Sequence, residues 1–502
     1  MLRFRGWKKR EPGPAVERSR LSRALRAVGR FCAGAVLTVT LLTLAMGIAG
    51  YLRTPVVRAP RGPVVNDVTR LNPVPVARIV APGSEAEIVA AVRTFPGPIS
   101  IGGGRYSMGG QTAVVMGLHL DMRRMNKLVK LDRTHRVARV QAGMAWRDLQ
   151  EFLDPLGLAV QTMQSYANFT VGGTVSVNGH GRYVGNGPVG NSVRALQLVL
   201  ADGSITEVSR SAHPALFRAA IGGYGAIGVM TEVELDLTVN CRIERVATPV
   251  ALEAYPGYFA RSVLGRKDCV LHNADLLPPR FDAPVAVSWN QTGKPLTEQA
   301  RLSPRGQVSG TNQNMIFAMT ELPGGALLYR EIVHPLLRAQ PAVKWRNHEA
   351  SLDVAELEPR TRAISTYVLQ EYFIPMRHFA RYARQMAEVI RKHGVEVLNV
   401  SVRHSPADPV ALLPWAKEEV FSFVVYYKQR TNAGARQRIG DWTREMIDTA
   451  LRFEGRYYLP YQLHATQAQF DKAYPEAAQL RVLKRAVDPA GKFSNELWRK
   501  YL

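Results

Sequence analysis

The sequence predicts an α+β protein in which one transmembrane helix precedes two folded units. Residues 31–52 form an uncharged apolar run, residues 70–240 alternate short strands, helices and glycine-rich loops, and residues 241–465 contain longer alternating segments with few glycine clusters. Of the 502 residues, 46% are hydrophobic and 21% are charged, which is typical of a folded protein and excludes a disordered one. Three cysteines are too few for a disulfide scaffold, a zinc ribbon or a four-cysteine iron–sulfur site, and no metal site is predicted.

The formal net charge of +24 is the unusual part of the composition. Ten basic and two acidic side chains lie in residues 1–30, and the rest of the chain is basic as well. Such an excess suits a nucleic acid, an anionic membrane surface or an anionic ligand. Because the chain has no aromatic-basic repeat and no nucleic-acid-binding motif, we expect no nucleic-acid partner.

The apolar run at residues 31–52 predicts the membrane helix. Its 22 uncharged residues would extend roughly 33 Å as a helix, enough to cross a bilayer core of about 30 Å. A cleaved signal peptide and a buried helix of a soluble protein are the alternatives. The run is longer than a signal h-region of about 7–15 residues, which favours a retained anchor.

The flanking charges predict the orientation of this anchor. Cations are more numerous before the helix than after it, so the positive-inside rule keeps residues 1–30 in the cytoplasm as a basic tail. The large C-terminal part then lies on the extracytoplasmic side, which in a bacterium is the periplasm. Residues 53–69, rich in Pro, Arg and Val, read as an extended linker of this single-pass protein.

The first folded unit begins with a strand at residues 76–80. Ser84 and Glu87 form a capping box that starts a helix, which Pro96 and Gly97 end. Short strands follow at residues 98–101, 119–122 and 136–143. A helix over residues 145–156 stops at Gly157.

Three glycine-rich clusters recur in this unit, at residues 102–110, 171–190 and 221–229. Glycine permits positive φ and close approach of a ligand, and successive turn amides form a nest for an anion such as a pyrophosphate. Residues 223–228 also match G-x-G-x-x-G. Because a helix pattern precedes this motif and a strand pattern follows it, the order is the reverse of a Rossmann dinucleotide site.

The segments GGGRYSMGGQ, SYANFTVGGTVSVNGHG and GGYGAIGVMTEVEL, in this order, resemble the vanillyl-alcohol oxidase / p-cresol methylhydroxylase (PCMH-type) flavoprotein superfamily. The similarity is greatest to its sugar and aldonolactone oxidase branch, with decaprenylphosphoryl-ribose oxidase and cytokinin dehydrogenase as further relatives. The resemblance implies a two-subdomain, PCMH-type FAD-binding domain at residues 70–240 and an antiparallel-sheet substrate (cap) domain at 241–465. Asp488, Pro489 and Phe493 resemble the closing segment of the family, so residues 466–502 are expected to return to the FAD domain.

The resemblance also assigns cofactor-binding residues. The first cluster would hold the diphosphate, the second would line the flavin and its ribityl chain, and the third would meet the adenine side. The residues carried over are Gly102, Gly103, Gly104, Arg105, Tyr106, Ser107, Gly109, Gly110, Gln111, Gly172, Gly173, Thr174, Ser176, Asn178, Gly179, His180, Gly181, Gly228 and Val229.

One departure from the family concerns covalent attachment of the flavin. Many relatives place a flavin-linked histidine before the loop serine, where this chain has Tyr106, and others use a cysteine that the second cluster lacks. Non-covalent FAD is therefore the prediction. His180 is the rival attachment point, and a structural histidine packed beside the glycines is a further alternative.

The second unit should supply the chemistry. Strands are predicted for residues 367–375, 399–408 and 420–430, and a helix over residues 377–394 closed by Gly394. Flavin-dependent alcohol oxidation needs a base for the hydroxyl proton and a cation near the flavin. The candidates on these segments are Lys428, Glu371, Tyr426, Arg403 and His464.

Tyr426 and Lys428 share one face of a strand, and a lysine in a closed site loses its charge readily. The alternative places Lys428 and Arg403 on a solvated face. The His-Trp-x-Lys motif usual in lactone oxidases is missing, which weakens a lactone assignment. Cys241 and Cys269 are able to pair outside the cytoplasm, although the sequence leaves this open.

Taken together, these features predict a membrane-anchored FAD-linked oxidase or dehydrogenase. It would oxidise the CH–OH group of a small-molecule alcohol that is sugar-like, a lactone or polyprenyl-linked, by hydride transfer to flavin N5. Oxygen, a quinone or a cytochrome would accept the electrons, and residues 31–52 would contact the membrane. A flavin-binding scaffold protein without turnover is the alternative.

Overall fold

The computed structural model describes residues 28–45, 48, 62–306, 310–357, 362 and 364–502. The N-terminal helix α1 covers Val28–Ala45, and its length and hydropathy are sufficient to cross a membrane or to act as a signal sequence. The basic tail at residues 1–27, most of residues 46–52 and the linker up to residue 61 lie outside the described residues. From residue 62 onward the described chain belongs to one unit, separate from α1.

A small parallel sheet opens this unit. Its strands run in the order β3-β5-β4, and a two-stranded β1-β2 hairpin precedes it. The side chain of Ser84 accepts a hydrogen bond from the amide of Glu87 and so caps helix α2, which confirms the predicted helix start. The elements are β1 (Val64–Val65), β2 (Val74–Pro75), β3 (Arg78–Val80), α2 (Glu85–Thr94), β4 (Ile99–Gly102) and β5 (Leu118–Asp121).

An antiparallel sheet follows, with strand order β10-β9-β11-β7-β6 and β8 paired to β11. The helix predicted over residues 145–156 is α3 plus a 3-10 turn that ends at Gly157, whose φ is 70°. The elements are β6 (Leu128–Asp132), β7 (Val137–Gln141), α3 (Trp146–Leu153), β8 (Leu158–Val160), α4 (Val171–Ser176), β9 (Val193–Val199), β10 (Ile205–Ser209), α5 (Pro214–Ala220) and β11 (Val229–Val239).

An eight-stranded antiparallel sheet forms the second half of the unit, in the order β15-β12-β14-β13-β17-β18-β16-β19. The strands predicted near residues 367–375, 399–408 and 420–430 are its members β16, β17 and β18, which confirms them. The strands are β12 (Arg242–Pro249), β13 (Cys269–Leu276), β14 (Val285–Gln291), β15 (Val343–Trp345), β16 (Ser365–Pro375), β17 (Val397–Ser405), β18 (Val420–Arg430) and β19 (Arg456–Tyr457).

Helices cover this large sheet. The predicted helix after Pro375 is α11, and Gly394 with a φ of 58° follows its end. The helices are α6 (Tyr255–Phe259), α7 (Gly310–Glu321), α8 (Gly325–Leu328), α9 (His334–Ala339), α10 (Arg346–Ala350), α11 (Phe379–Lys392), α12 (Ala433–Arg452), α13 (Gln467–Ala473), α14 (Ala477–Val487) and α15 (Glu496–Tyr501).

The C-terminal segment lies against the first sheets. Phe493 forms a parallel bridge with Ile99 of β4. The indole of Trp498 donates to the carbonyl of Gly223 (3.0 Å), and the amide of Asn495 donates to the carbonyl of Tyr224 (2.8 Å). The buried carboxylate of Asp488 accepts hydrogen bonds from the backbone of residues 492 and 493, which fixes the turn that makes these contacts. The chain end thereby supports the third glycine cluster.

Candidate active site

One cavity of about 580 Å³ connects the glycine clusters with the large sheet. Its walls contain predicted cofactor-binding residues and predicted catalytic residues. Those that line it are Gly103, Gly104, Arg105, Tyr106, Ser107, Gln111, Gly172, Gly173, Ser176, Gly179, His180, Gly228, Glu371, Arg403 and Tyr426. Those that do not are Gly102, Gly109, Gly110, Thr174, Asn178, Gly181, Val229, Lys428 and His464.

The first cluster offers backbone amides to this cavity. Arg105 has a φ of 60°, and the amides of Gly104, Arg105 and Ser107 donate no hydrogen bond to another described residue. A Cβ on Gly103 would lie 2.1 Å from Oγ1 of Thr170, so the loop approaches α4 as only glycine allows. These unpaired amides, together with an Arg105 side chain whose Nε has no partner, suit a diphosphate.

Gly109 and Gln111 hold this loop in place. The side-chain amide of Gln111 donates to the carbonyls of Leu459 (2.8 Å) and Tyr461 (2.7 Å), and its oxygen accepts from the amide of Gly109 (2.8 Å). A Cβ on Gly109 would lie 2.5 Å from the Tyr461 carbonyl oxygen. Gly109 thus packs against the chain that follows β19, and its contact with the diphosphate stays a prediction.

The second cluster begins as a short helix, α4, where the sequence predicted a glycine loop on β segments. Thr170 caps it by accepting from the amide of Gly173 (3.3 Å), and this cap compensates for two glycines in the first turn. Gly172 and Gly173 line the cavity from this end. The hydroxyl of Thr174 instead turns to Gln164 (2.7 Å) and Trp146 (2.8 Å), away from the cavity.

Asn178 also faces away from the cavity. Its φ is 48°, its amide donates to Asp408 (2.8 Å), and its oxygen accepts from the amide of Gly190 (3.0 Å). Trp415 donates to the backbone oxygen of Asn178 (2.9 Å). Asn178 therefore joins the second cluster to the chain that precedes β18.

The third cluster lies between α5 and β11, in the helix–loop–strand order that the sequence predicted. Gly228 reaches the cavity, and a Cβ there would lie 2.9 Å from the carbonyl oxygen of Val199. Val229 is the first residue of β11 and is fully buried in the sheet. It therefore supports Gly228 from behind.

The centre of the cavity holds a buried carboxylate and imidazole. Nε2 of His180 lies 2.6 Å from Oε1 of Glu371, and Ser422 donates to the same oxygen (2.6 Å). Tyr461 donates to Oε2 (3.1 Å). Burial acts to raise the pKa of the Glu371 carboxyl, but the contact with His180, the charge of Arg403 and these hydrogen bonds lower it below its ordinary value. Glu371 is thus held as a carboxylate.

Aromatic rings surround His180. Its ring centroid lies 4.8 Å from that of Trp415, 5.6 Å from Phe373 and 6.0 Å from Tyr458. Phe373 stacks on Trp415 with centroids 4.2 Å apart. These rings limit how the imidazole turns, so its remaining nitrogen keeps a fixed direction.

Arg403 is a half-buried cation in the same wall. It belongs to strand β17 and lines the cavity. Its Nε has no hydrogen-bond partner among the described residues. Burial lowers the pKa of its guanidinium, whereas Glu371 acts to raise it. An arginine keeps its charge even so, and this one faces the cavity rather than solvent.

Lys428 and His464 lie outside the cavity walls. Nζ of Lys428 forms an ion pair with Glu321 of α7 and contacts Oγ1 of Thr320 (3.1 Å). Burial lowers the pKa of the Lys428 ammonium, while Glu321 opposes that change. His464 contacts Gln462 (3.1 Å) behind the cavity, and burial lowers its pKa to about 4. Tyr426, on the same strand face as Lys428, does reach the cavity.

Several cavity residues were missed by the sequence reasoning. They belong to β13, β14, α7, α9 and α10, to the chain after β19, or to the second cluster and the residues just before it. The polar ones include Gln164, Ser165, Arg182, Asn273, Asp275, Arg338, Glu349 and Tyr461. Arg182 lies within the second cluster, directly after Gly181, and a pattern restricted to glycine spacing passes over it. Met315 and Met319 lie in an apolar run of the sequence, but the sequence did not indicate that these side chains line a cavity.

The two cysteines of the folded unit, Cys241 and Cys269, are both free thiols. Cys241 is half-buried and Cys269 is buried, and neither lines the cavity. Burial raises the pKa of the Cys269 thiol to about 11. The pairing left open by the sequence is therefore absent from this structure.

The cavity residues fit FAD. A nest of unpaired amides at one end and buried polar atoms without partners, Arg105 Nε, Ser165 Oγ and Arg403 Nε, indicate a polar ligand of extended shape. Comparison with known proteins agrees. Residues 76–209 match a family described as an FAD binding domain, and residues 348–501 match the D-arabinono-1,4-lactone oxidase family.

Curated relatives span most of the chain. L-gulonolactone oxidase of Mus musculus is 22% identical over 436 residues, covering 83% of this chain and 92% of that protein. Alditol oxidase of a Streptomyces species is 26% identical, covering 74% and 82% respectively. Decaprenylphosphoryl-beta-D-ribose oxidase of Mycolicibacterium smegmatis is 22% identical, covering 76% and 85%. FAD is accordingly the cofactor, and the chain is an FAD-linked oxidoreductase.

Proposed function

Because the chain is a PCMH-type FAD-binding flavoprotein of the aldonolactone oxidase branch, we propose that it oxidises a CH–OH group of a sugar-like, lactone or polyprenyl-linked alcohol. The observation that carries this proposal is the buried Glu371–His180 pair, which lies in the same cavity as the glycine loops. Gly103 to Ser107 would hold the diphosphate, and Gly172, Gly173, Ser176 and Gly179 would line the rest of the cofactor. When bound, FAD supplies the acceptor for the substrate hydride.

The Glu371–His180 pair supplies the base. An ionised carboxylate only accepts hydrogen bonds, so Nε2 of His180 carries the hydrogen shared with Glu371, an assignment that follows from the hydrogen-bond network. In the neutral ring, Nδ1 then has the lone pair that takes the proton of the substrate hydroxyl. Glu371 stabilises the cationic imidazole that results.

Arg403 provides positive charge in the cavity wall. Its unpartnered Nε is available to a substrate oxygen, and its guanidinium stabilises negative charge that develops within the cavity. Tyr426 and Tyr461 add hydroxyl groups to the same wall. Together these residues orient a polyhydroxylated or lactone-like head group.

The proposed cellular location of the reaction is based on α1. We place the protein as a single-pass membrane protein with a cytoplasmic N-terminus and an extracytoplasmic catalytic unit, supported by the length of α1 and the basic residues before it. Oxygen is the first candidate electron acceptor because relatives are named oxidases, and a membrane quinone or a cytochrome is the second.

Anaerobic reduction of the flavin tests the proposal. The flavin absorbance near ~450 nm should bleach on addition of an alditol, an aldonolactone or a polyprenyl-linked sugar alcohol, since the flavin itself takes the electrons. Readmitted oxygen, a quinone analogue or cytochrome c then identifies the acceptor by the rate of reoxidation. A flavin-loaded protein that none of the three alcohol classes bleaches would overturn the assignment and favour a flavin-binding scaffold.

A further inference from the structure

The helix Gly325–Ala339 presents apolar side chains to the outside of the folded unit. It consists of α8, a π-helical segment and α9 in direct succession. Leu328, Ile332 and Leu336 follow one another at a spacing of four residues and therefore form one stripe. Their exposed fractions are 56%, 52% and 64%.

The opposite face of this helix is polar and points inward. His334 is buried with Nε2 3.1 Å from Oδ2 of Asp275, and Arg338 donates to the same carboxylate. Tyr329 and Arg338 line the cavity. A surface helix in water places its apolar stripe on the core, whereas this helix turns its stripe outward and the polar side chains of His334 and Arg338 inward.

Neighbouring side chains extend the stripe into a surface. Phe317 of α7 and Leu322 after it are exposed, as are Leu327 and Leu337 on the helix itself. We call these seven residues, Phe317, Leu322, Leu327, Leu328, Ile332, Leu336 and Leu337, the apolar surface. Exposed apolar residues in this number, on helices that contact each other, mark a site of contact with a partner or a membrane.

We propose that the apolar surface docks on the lipid bilayer. Two observations select a bilayer as the occupant. Helix α1 of the same chain is apolar enough to enter one and, on the membrane anchoring proposed above, would tether the folded unit to that membrane. Residues 53–502, on the side of α1 that carries the folded unit, also contain more Lys and Arg than Asp and Glu, an excess that is complementary to anionic lipid head groups.

The other side of the docked helices forms part of the active-site cavity. Met315, Ile316 and Met319 of α7 line the cavity, so the helices that contact lipid on one side form the cavity wall on the other. The docking does not depend on the proposed reaction, because it rests on surface residues that do not touch the Glu371–His180 pair.

Depth-dependent quenching on the full chain tests the docking. A fluorophore is attached at Leu336→Cys or, as a matched control, at Val482→Cys of α14, whose side chain is 68% exposed. Cys32→Ser and Cys241→Ser remove the accessible thiols, and buried Cys269 remains. Each protein is reconstituted in vesicles of phosphatidylcholine and phosphatidylglycerol, with flavin absorbance as the measure of folding. Lipids spin-labelled in the upper acyl chain then quench the fluorophore.

Docking predicts quenching at Leu336 at least about twofold greater than at Val482, together with protection of Leu336 from aqueous iodide. Equal quenching at the two positions, equal access to iodide, or failure of the full chain to float with vesicles overturns the proposal. A signal at Leu336 that disappears as the protein-to-lipid ratio is lowered identifies a second copy as the occupant and overturns it as well.

Discussion

Nε2 of His180, from the second glycine cluster, lies 2.6 Å from Oε1 of Glu371, from strand β16 of the large sheet. The contact joins a residue expected to meet the flavin with one expected to act on the substrate, and both side chains are buried. Because Glu371 is ionised, it sets which imidazole nitrogen is protonated. The two halves of the folded unit therefore contact each other at the pair that we propose as the base.

Replacement of Glu371 tests this pair directly. Glu371→Gln keeps the size of the side chain and an oxygen able to accept from His180 but removes the charge that stabilises a cationic imidazole. We expect the anaerobic rate of flavin reduction to fall about 100-fold or more, with flavin content unchanged. Stopped-flow absorbance measures the rate. Glu418→Gln, an exposed partner of Arg377, is the control, and an unaltered rate in Glu371→Gln would exclude the pair as base.

Lys428 was also a candidate base, and its contacts give a different expectation. Its ammonium pairs with Glu321, which Arg430 also binds through two hydrogen bonds of 3.0 Å. In Lys428→Met, Glu321 keeps Arg430, so α7 loses the contacts of Lys428 with Thr320 and Glu321 while the cavity wall stays in place. We expect a lower melting temperature and a rate of flavin reduction near that of the wild type. A loss of rate as large as in Glu371→Gln would assign the chemistry to Lys428 instead.

These cases show where sequence reasoning succeeds and where it ends. Strands β16 and β18 and helix α11 were predictable because β-branched and aromatic runs, Pro375 and Gly394 mark them locally. Helix α4 was missed because two glycines oppose a helix, and the cap by Thr170 and tertiary packing overcome that preference. The pairing of Lys428 with Glu321 joins distant parts of the chain, and no local pattern contains it.

The close approach of Gly103 to α4 predicts a loss of cofactor. A Cβ in Gly103→Ala would lie 2.1 Å from Oγ1 of Thr170, so either the first loop or the cap of α4 must move. Since both adjoin the cavity, we expect flavin content per chain to fall several-fold, measured as the ratio of flavin to protein absorbance. Gly293→Ala, where a Cβ meets nothing within 4 Å, should retain full flavin content. Equal flavin content in the two variants would contradict the diphosphate site.

The buried cluster around Asp275 predicts a pH-dependent stability. Burial acts to raise the pKa of Asp275, but Arg338 and His334 lower it well below the ordinary value of an aspartate. A depressed carboxyl pKa contributes stability that is complete above the unfolded-state value and is lost as pH falls through the folded-state value. Asp275→Asn should therefore cost about 3 kcal/mol in free energy of unfolding at neutral pH.

That difference between wild type and Asp275→Asn should shrink as the pH falls below the unfolded-state value, as urea unfolding at successive pH values would measure. Asp282→Asn is the matched control, because Asp282 is exposed and pairs with Arg330 at the surface. Its expected cost is about 0–1 kcal/mol. A difference for Asp275→Asn that is the same at every pH would show that packing, rather than charge, accounts for its effect.

Non-covalent attachment of the flavin is the last expectation that the site makes testable. At the loop position where relatives carry a linked histidine, Tyr106 packs on Phe169 with ring centroids 4.5 Å apart, and neither Cys241 nor Cys269 lines the cavity. Among the described residues His180 alone of the histidines lines it, and its Nε2 is engaged by Glu371. Acid precipitation should thus leave the yellow colour in the supernatant and a chain of unmodified mass in the pellet. A yellow pellet from the wild type that turns colourless in His180→Gln would instead make His180 the attachment point, and Nδ1 would then be unavailable as the base.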